Sequence, residues 1–388
     1  MHKLIATSTI LEHELSELRL LVERQTGVVL DCPNSALAAH VADCIEAQGL
    51  GSPAALLERL RASDQDPSTL PSLLDGLLNV NTGFFRHPGA LNALTRQVVP
   101  QLCARKSADG PGPLRIWSAG CGSGEETYSI AMAVCDALSR NNSGPANGNG
   151  LSNSNGSGKS SARNGGIADS GLSSSSSTTS GAGLSIHIVG SDLLPRNIEA
   201  ADRGVYRQSA LDGLPPATIR NYFSKISSPV IPSGDAENEF DDDGQRQFGV
   251  QGKNGQGKNG QGKNVQDRIG QEKFGAIEET QNAPSSVTHL LVKPRLRSLV
   301  TFNCMNLARP GYIGRFDCIF CMDVLPHFSR AQRIALLERL HLYLEPGGYL
   351  FLSQTEKLSA PNLNFRSETF DGYTFHRKPL AASAAYGR

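Results

Sequence analysis

No stretch of this chain approaches the roughly 18–20 consecutive apolar residues that a membrane-spanning helix needs. Residues 1–10 lack the basic-then-apolar pattern of a signal peptide. Neither sign of charge is in excess, since Lys plus Arg and Asp plus Glu each number 37. That balance gives no pointer to nucleic acid or to an anionic membrane surface as a partner. Cysteine is sparse, with 8 in 388 residues, and scattered, so no disulfide framework is expected and a reducing, cytoplasmic setting fits. Only Cys318 and Cys321 form a CxxC, inside the strand-like run "FDCIFCMD". Residues three apart in a strand face opposite ways, so two core thiols are expected there rather than a zinc or redox pair.

Large apolar side chains are also nearly missing from two long segments. Residues 141–182 are mostly Ser, Gly and Asn, and residues 226–286 carry an acidic patch and the repeat "QGKNGQGKNGQGKN". Neither can bury enough apolar surface to offset the entropy of ordering, so both read as disordered insertions. The remainder is long enough for two ordinary domains. Its first ninety residues have helical spacing: Leu11, Leu15, Leu18 and Val22 recur after a possible cap at Ser8 or Thr9. A second helix ends at Gly49, and a third is capped by Ser52 with Pro53 at its first position.

From Leu114 the pattern changes to alternating strands and helices. Strands are expected at 114–118, 186–190, 299–303, 316–321 and 348–353, with an antiparallel edge strand at 373–376. Helices are expected at 125–139, 195–201 and 329–344. Such alternation specifies a doubly wound, Rossmann-like α/β domain with a mainly parallel sheet. The division expected is a helical domain at 1–90 and an α/β domain at 91–388.

The chemistry concentrates in "RIWSAGCGSGEETYSIAM", a strand, a glycine turn and a helix. Gly120, Gly122 and Gly124 permit a tight turn and close approach of a ligand to the backbone. A dinucleotide fingerprint needs G-x-G-x-x-G, and here the third glycine comes one residue early. Glu125 and Glu126 then occupy the helix N-terminus, where they would repel a pyrophosphate. An adenosine cofactor without phosphates fits better, and S-adenosylmethionine brings a cationic sulfonium and an ammonium group. In "IHIVGSD", Asp192 ends the second strand, where such folds bind ribose hydroxyls. Without the insertion it follows Gly120 by roughly 30 residues, against a usual ~20. The alternative is that Asp192 only caps the next helix.

With these motifs in view, the chain resembles the CheR-type protein-glutamate methyltransferases, which methylate chemoreceptor glutamates with S-adenosylmethionine. "NTGFFRHP" resembles the family's Thr-x-Phe-Phe-Arg signature, and the glycine turn resembles its cofactor turn, with Thr127 where proline is common. "VGSDLLPRNIEAADRGVY", "FNCMNL", "FDCIFCMDVLPHF" and "LHLYLEPGGYLFLSQTEKL" resemble its later strand motifs in order. The resemblance implies a class I methyltransferase fold with an N-terminal helical subdomain and a small β-subdomain starting around 204–222. It implies cofactor contacts from Thr82, Arg86, Glu125, Asp192, Asn306 and Leu307, beside Gly120, Gly122 and Gly124. Glu125 would pair with the ammonium, Asp192 with the ribose, and Asn306 with the adenine or ribose edge. Arg86 would hold the methionyl carboxylate or the incoming glutamate by a bidentate pair, and Arg86 and Tyr128 are the candidates for orienting the acceptor, a protein glutamate. Phe84 and Phe85 are expected as plain core.

Three departures from the family stand out. Val80, flanked by Asn79 and Asn81, replaces an Asn common two residues before the signature threonine. Met322, Asp323 and Val324 stand where Arg-Asn-Val is usual, so position 323 accepts but does not donate; Asp323 and Val324 are carried over as cofactor contacts. The family's basic second helix is here residues 36–48, with Asp43 and Glu46 and no Lys or Arg. These departures keep a second possibility open, a non-catalytic module that binds S-adenosylmethionine or a receptor tail.

Overall fold

A computed structural model describes residues 10–62, 68–78, 82–110, 112–142, 185–226, 288–311, 314–358, 360 and 362–380. Apart from a few flanking residues, both low-complexity segments lie outside these residues, as do Ser8, Thr9 and the segment from Asn79 to Asn81.

The N-terminal region forms α1 (Glu12–Thr26), α2 (Asn34–Ala47), α3 (Pro53–Arg61) and α4 (Thr69–Leu74). Leu15, Leu18, Leu37, Leu56, Leu60 and Leu73 are buried together, which is what their helical spacing requires. Leu11 is the N-cap residue of α1, and its N–H donates to the Glu14 carboxylate at 2.9 Å. Ser52 caps α3 as expected, accepting from the Ala55 N–H at 3.2 Å. Then follow α5 (Pro88–Ala93), a π-turn at Leu94–Val98 and α6 (Val99–Asp109), whose Leu94, Val98 and Leu102 are buried against the sheet.

The α/β region runs β1 (Leu114–Ala119), α7 (Glu125–Asn142), β2 (Ile186–Asp192), α8 (Pro195–Arg203), β3 (Val205–Arg207), α9 (Pro216–Tyr222) and β4 (Phe223–Ile226). It continues with β5 (His289–Val292), α10 (Pro294–Arg297), β6 (Val300–Cys304), β7 (Phe316–Cys321), α11 (Arg330–Tyr343), β8 (Leu344–Leu352), β9 (Arg366–Phe370) and β10 (Tyr373–Arg377). The main sheet has the order β6-β2-β1-β7-β8-β10-β9. Its first five strands are parallel and the last two form an antiparallel hairpin. A second sheet, β3-β5-β4, is the expected small β-subdomain.

Residues along β7 alternate between two cores. Cys318 and Phe320 face the side covered by α5–α7, while Ile319 and Cys321 face the side covered by α11. The CxxC thiols thus point to opposite faces, and burial pushes both well above the usual thiol range. No helix among the described residues is long and apolar enough to cross a membrane. Strand order reverses between β1 and β7, which opens a crevice at their carboxyl ends, the usual ligand position in such sheets.

Candidate active site

All three glycines of the turn have positive φ: 84° at Gly120, 55° at Gly122 and 97° at Gly124. A Cβ on Gly120 would lie 2.5 Å from Cγ2 of Val324, and one on Gly124 would lie 2.8 Å from Cβ of Ala201. The turn is tied to β2 from two sides. The Gly120 and Cys121 N–H groups donate to the Ser191 carbonyl, and the Gly122 N–H donates to Oδ2 of Asp192 at 2.9 Å. Oδ1 of Asp192 accepts from the Leu194 N–H and from Nδ2 of Asn197, each at 2.9 Å. Asp192 therefore holds both the glycine turn and the first turn of α8, and Oδ2, with one protein donor, keeps accepting capacity toward the crevice.

The crevice is a cleft of about 260 Å³. Thr82 and Arg86 line it from the segment before α5, Gly120 and Gly122 from the turn, and Asp192 from the end of β2. Asn306 and Leu307 line it after β6, and Asp323 and Val324 after β7. The topology thus brings together residues spread over more than two hundred positions.

Three expected residues do not line it. Tyr128 is buried, with its hydroxyl donating to the Ala201 carbonyl at 2.9 Å and its ring edge-on to Phe302. Burial pushes its phenol up to about 12. It braces α7 against α8 and cannot orient an acceptor. Gly124 packs on Ala201 behind the turn. Glu125 is only 8% exposed and accepts from Oγ of Ser123 at 2.8 Å and Oγ1 of Thr82 at 3.2 Å. The acid that lines the cleft is its neighbour Glu126, together with Ser129 and Ile130, as i, i+3, i+4 spacing on one helix face dictates. Glu126 accepts from Oγ of Ser118 at 2.7 Å. Burial, reinforced by Asp323 and Glu356 and opposed by Ser118 and Arg86, pushes its carboxyl up to about 7.

Asn306 also differs from expectation. Its Nδ2 donates to the Gln25 carbonyl at 2.8 Å and its Oδ1 accepts from the Ala308 N–H at 2.9 Å. Its amide pins the end of α1 to the cleft wall rather than presenting a free edge to a base. Thr26 and Val28 complete that wall, held by the bond from the Val29 N–H to the His327 carbonyl at 2.8 Å. Phe84 packs edge-on against Tyr206 and Phe223 of the small sheet, at 4.9 and 5.5 Å between centroids. Phe85 packs against the main core as expected and also lines the cleft, at φ 52° and with its N–H donating to Oγ of Ser129 at 2.9 Å.

At the cleft, Oδ2 of Asp323 lies 3.3 Å from Nη2 of Arg86 and 3.1 Å from Nε2 of His87. Burial lowers His87 and His327 below the ordinary imidazole value, with Asp323 opposing in both cases. The sequence placed Glu126 beside the turn together with Glu125, but no signal singled out His87 or His327 as cleft residues. Among the described residues that line the cleft, carboxylates at Glu126, Asp192 and Asp323 stand against one guanidinium, Arg86. That donor set suits a cofactor carrying positive charge and no phosphate, so these residues fit S-adenosylmethionine.

The family description "CheR methyltransferase, SAM binding domain" matches residues 80–144 and 272–373. Chemotaxis protein methyltransferase 1 of Pseudomonas aeruginosa is 26% identical over 88% of this chain and 89% of its own length. Chemotaxis protein methyltransferase Cher2 of Pseudomonas putida is 23% identical over 89% of this chain and 90% of its own. Among solved structures, magnesium protoporphyrin IX methyltransferase of Synechocystis PCC 6803 with bound SAM aligns with 76% of this chain and 84% of that one, at 13% identity and a TM-score of 0.25. The ordered motifs, the strand order and relatives matched along most of their length agree: this chain is similar to the CheR family of S-adenosylmethionine-dependent methyltransferases.

Proposed function

We propose that this chain methylates glutamate side chains of a chemoreceptor-like protein, forming methyl esters. The observation that carries this reading is Arg86. Its guanidinium is 40% exposed, lines the cofactor cleft, and is aligned by a carboxylate already beside it. A planar fork in that place can receive an incoming carboxylate by two parallel bonds. The helical unit at 1–90 forms one wall of the same cleft through Thr26 and Val28, and is proposed as the domain that meets the receptor.

Bound S-adenosylmethionine supplies an electrophilic methyl group. The acceptor needs little activation, because a glutamate of reference pKa about 4.3 is more than about 99% ionised at neutral pH. The residues here then have two tasks, aligning the acceptor oxygen and excluding water. No side chain is assigned as general base. Exchange of Arg86 for Lys keeps the charge and removes the fork, so turnover on a purified receptor cytoplasmic fragment is expected to fall about tenfold or more. The acidic limb of the pH profile of turnover at saturating cofactor stays in place. Labelled methyl incorporation measured across pH tests both, and equal turnover by R86K would remove Arg86 from the mechanism.

Glu126 gives a separate expectation. A cation bound beside it favours its ionised form, so binding draws a proton off a carboxyl held at about 7. Affinity for S-adenosylmethionine should therefore rise by about tenfold between about pH 6 and pH 8. Proton release shows in calorimetry as a buffer-dependent enthalpy. E126Q is expected to flatten the profile, and an unchanged slope in that variant would assign the titration elsewhere.

A further inference from the structure

The turn after β7 is held in an unfavourable backbone conformation by a side chain from the loop after β8. Asp323 has φ 57°, a left-handed value that a non-glycine residue adopts only at a cost. Its N–H donates to Oε2 of Glu356 at 3.2 Å, and the Leu325 N–H donates to Oε1 at 2.9 Å. Oε2 also accepts from the Ser353 N–H at 2.8 Å, at the end of β8. One carboxylate thus bridges the ends of the adjacent strands β7 and β8, next to the crevice between β1 and β7.

We infer that Glu356 is a positioning residue: by clamping the backbone at Asp323 and Leu325, it keeps Asp323 left-handed and aims its carboxylate at Arg86 and His87. The same clamp fixes Val324, which fills the space above Gly120. Glu356 itself is not among the residues lining the cleft. It acts through Asp323 on Arg86, the guanidinium proposed above to meet the acceptor. The inference rests on the reading of Arg86 given above only for its effect on turnover; its effect on cofactor affinity does not.

Glutamine at 356 keeps the size but has a single accepting oxygen, so at least one of the three N–H bonds is lost. Glycine at 323 takes a positive φ without strain and needs no clamp. A double-mutant cycle on cofactor affinity, read by calorimetry, separates positioning from general support. E356Q is expected to weaken binding of S-adenosylmethionine about tenfold in the parent chain. On top of D323G it should weaken binding less than about twofold further. Turnover at saturating cofactor should show the same non-additivity on a receptor fragment. Absence of turnover in the parent chain would count against the proposed substrate and leave the affinity cycle intact as the test here. If E356Q alone does not fold, D323G is expected to restore folded protein. Equal losses in both backgrounds, or no rescue of folding, would overturn the inference.

Discussion

Replacing Gly120 by alanine is expected to weaken cofactor binding by roughly a hundredfold or more while leaving the secondary structure in place. Two costs combine at this position. An L-residue held at φ 84° pays about 1–2 kcal/mol for the left-handed backbone. The added methyl would lie 2.5 Å from Cγ2 of Val324, and relieving such overpacking costs about 1–3 kcal/mol more. The turn can escape both only by moving, and it carries Gly122, whose N–H anchors Asp192. The cofactor cleft is the space that movement takes. Gly51 is the natural control, because a Cβ there meets nothing within 4 Å. Calorimetric titration of both variants checks the expectation. G120A binding within twofold of the parent chain would show that the turn does not approach the ligand.

Removing the Asp192 carboxylate should have two separable consequences. D192A deletes the charge-assisted bonds expected to the ribose hydroxyls, worth about 1.5–3 kcal/mol, or roughly ten- to hundredfold in affinity. It also orphans the Gly122 and Leu194 N–H groups and the Asn197 amide, which should lower stability by about 1–3 kcal/mol. D192N keeps one accepting oxygen for the loop and loses the charge. It is therefore expected to recover more of the stability than of the affinity. Denaturant unfolding beside calorimetry distinguishes the roles. A D192A variant that is destabilised but binds S-adenosylmethionine unchanged would reduce Asp192 to a cap.

What the sequence made legible was set by periodicity and by order. β7 is buried along its whole length, and its expected bounds at 316–321 are those found. Its CxxC faces follow from the two-residue period of a strand alone. The glycine turn was legible because three glycines in alternation have few other uses. β9 was missed because "RSETF" is polar and half exposed, with no core face to mark it. The choice between Glu125 and Glu126 depends on the rotational phase of α7, which adjacent acids do not reveal. Tyr128 was a candidate for orienting the acceptor, yet a carbonyl from α8 takes its hydroxyl, a contact that exists only once α7 and α8 pack together. The Arg86–Asp323–Glu356 chain spans 270 positions and exists only once β7 and β8 lie side by side.

The central claim is that the acceptor atom is a carboxylate oxygen, and the chemical stability of the product tests it most directly. A carboxyl methyl ester hydrolyses in mild alkali, whereas methylated amines and thioethers survive it. The protein is incubated with S-adenosylmethionine labelled in the methyl group and with the receptor-containing membrane fraction of its host. The labelled receptor is isolated and brought to high pH. Release of the label as volatile methanol is the predicted result. Label that stays on the receptor through alkali would place the methyl group on nitrogen or sulfur and contradict the account.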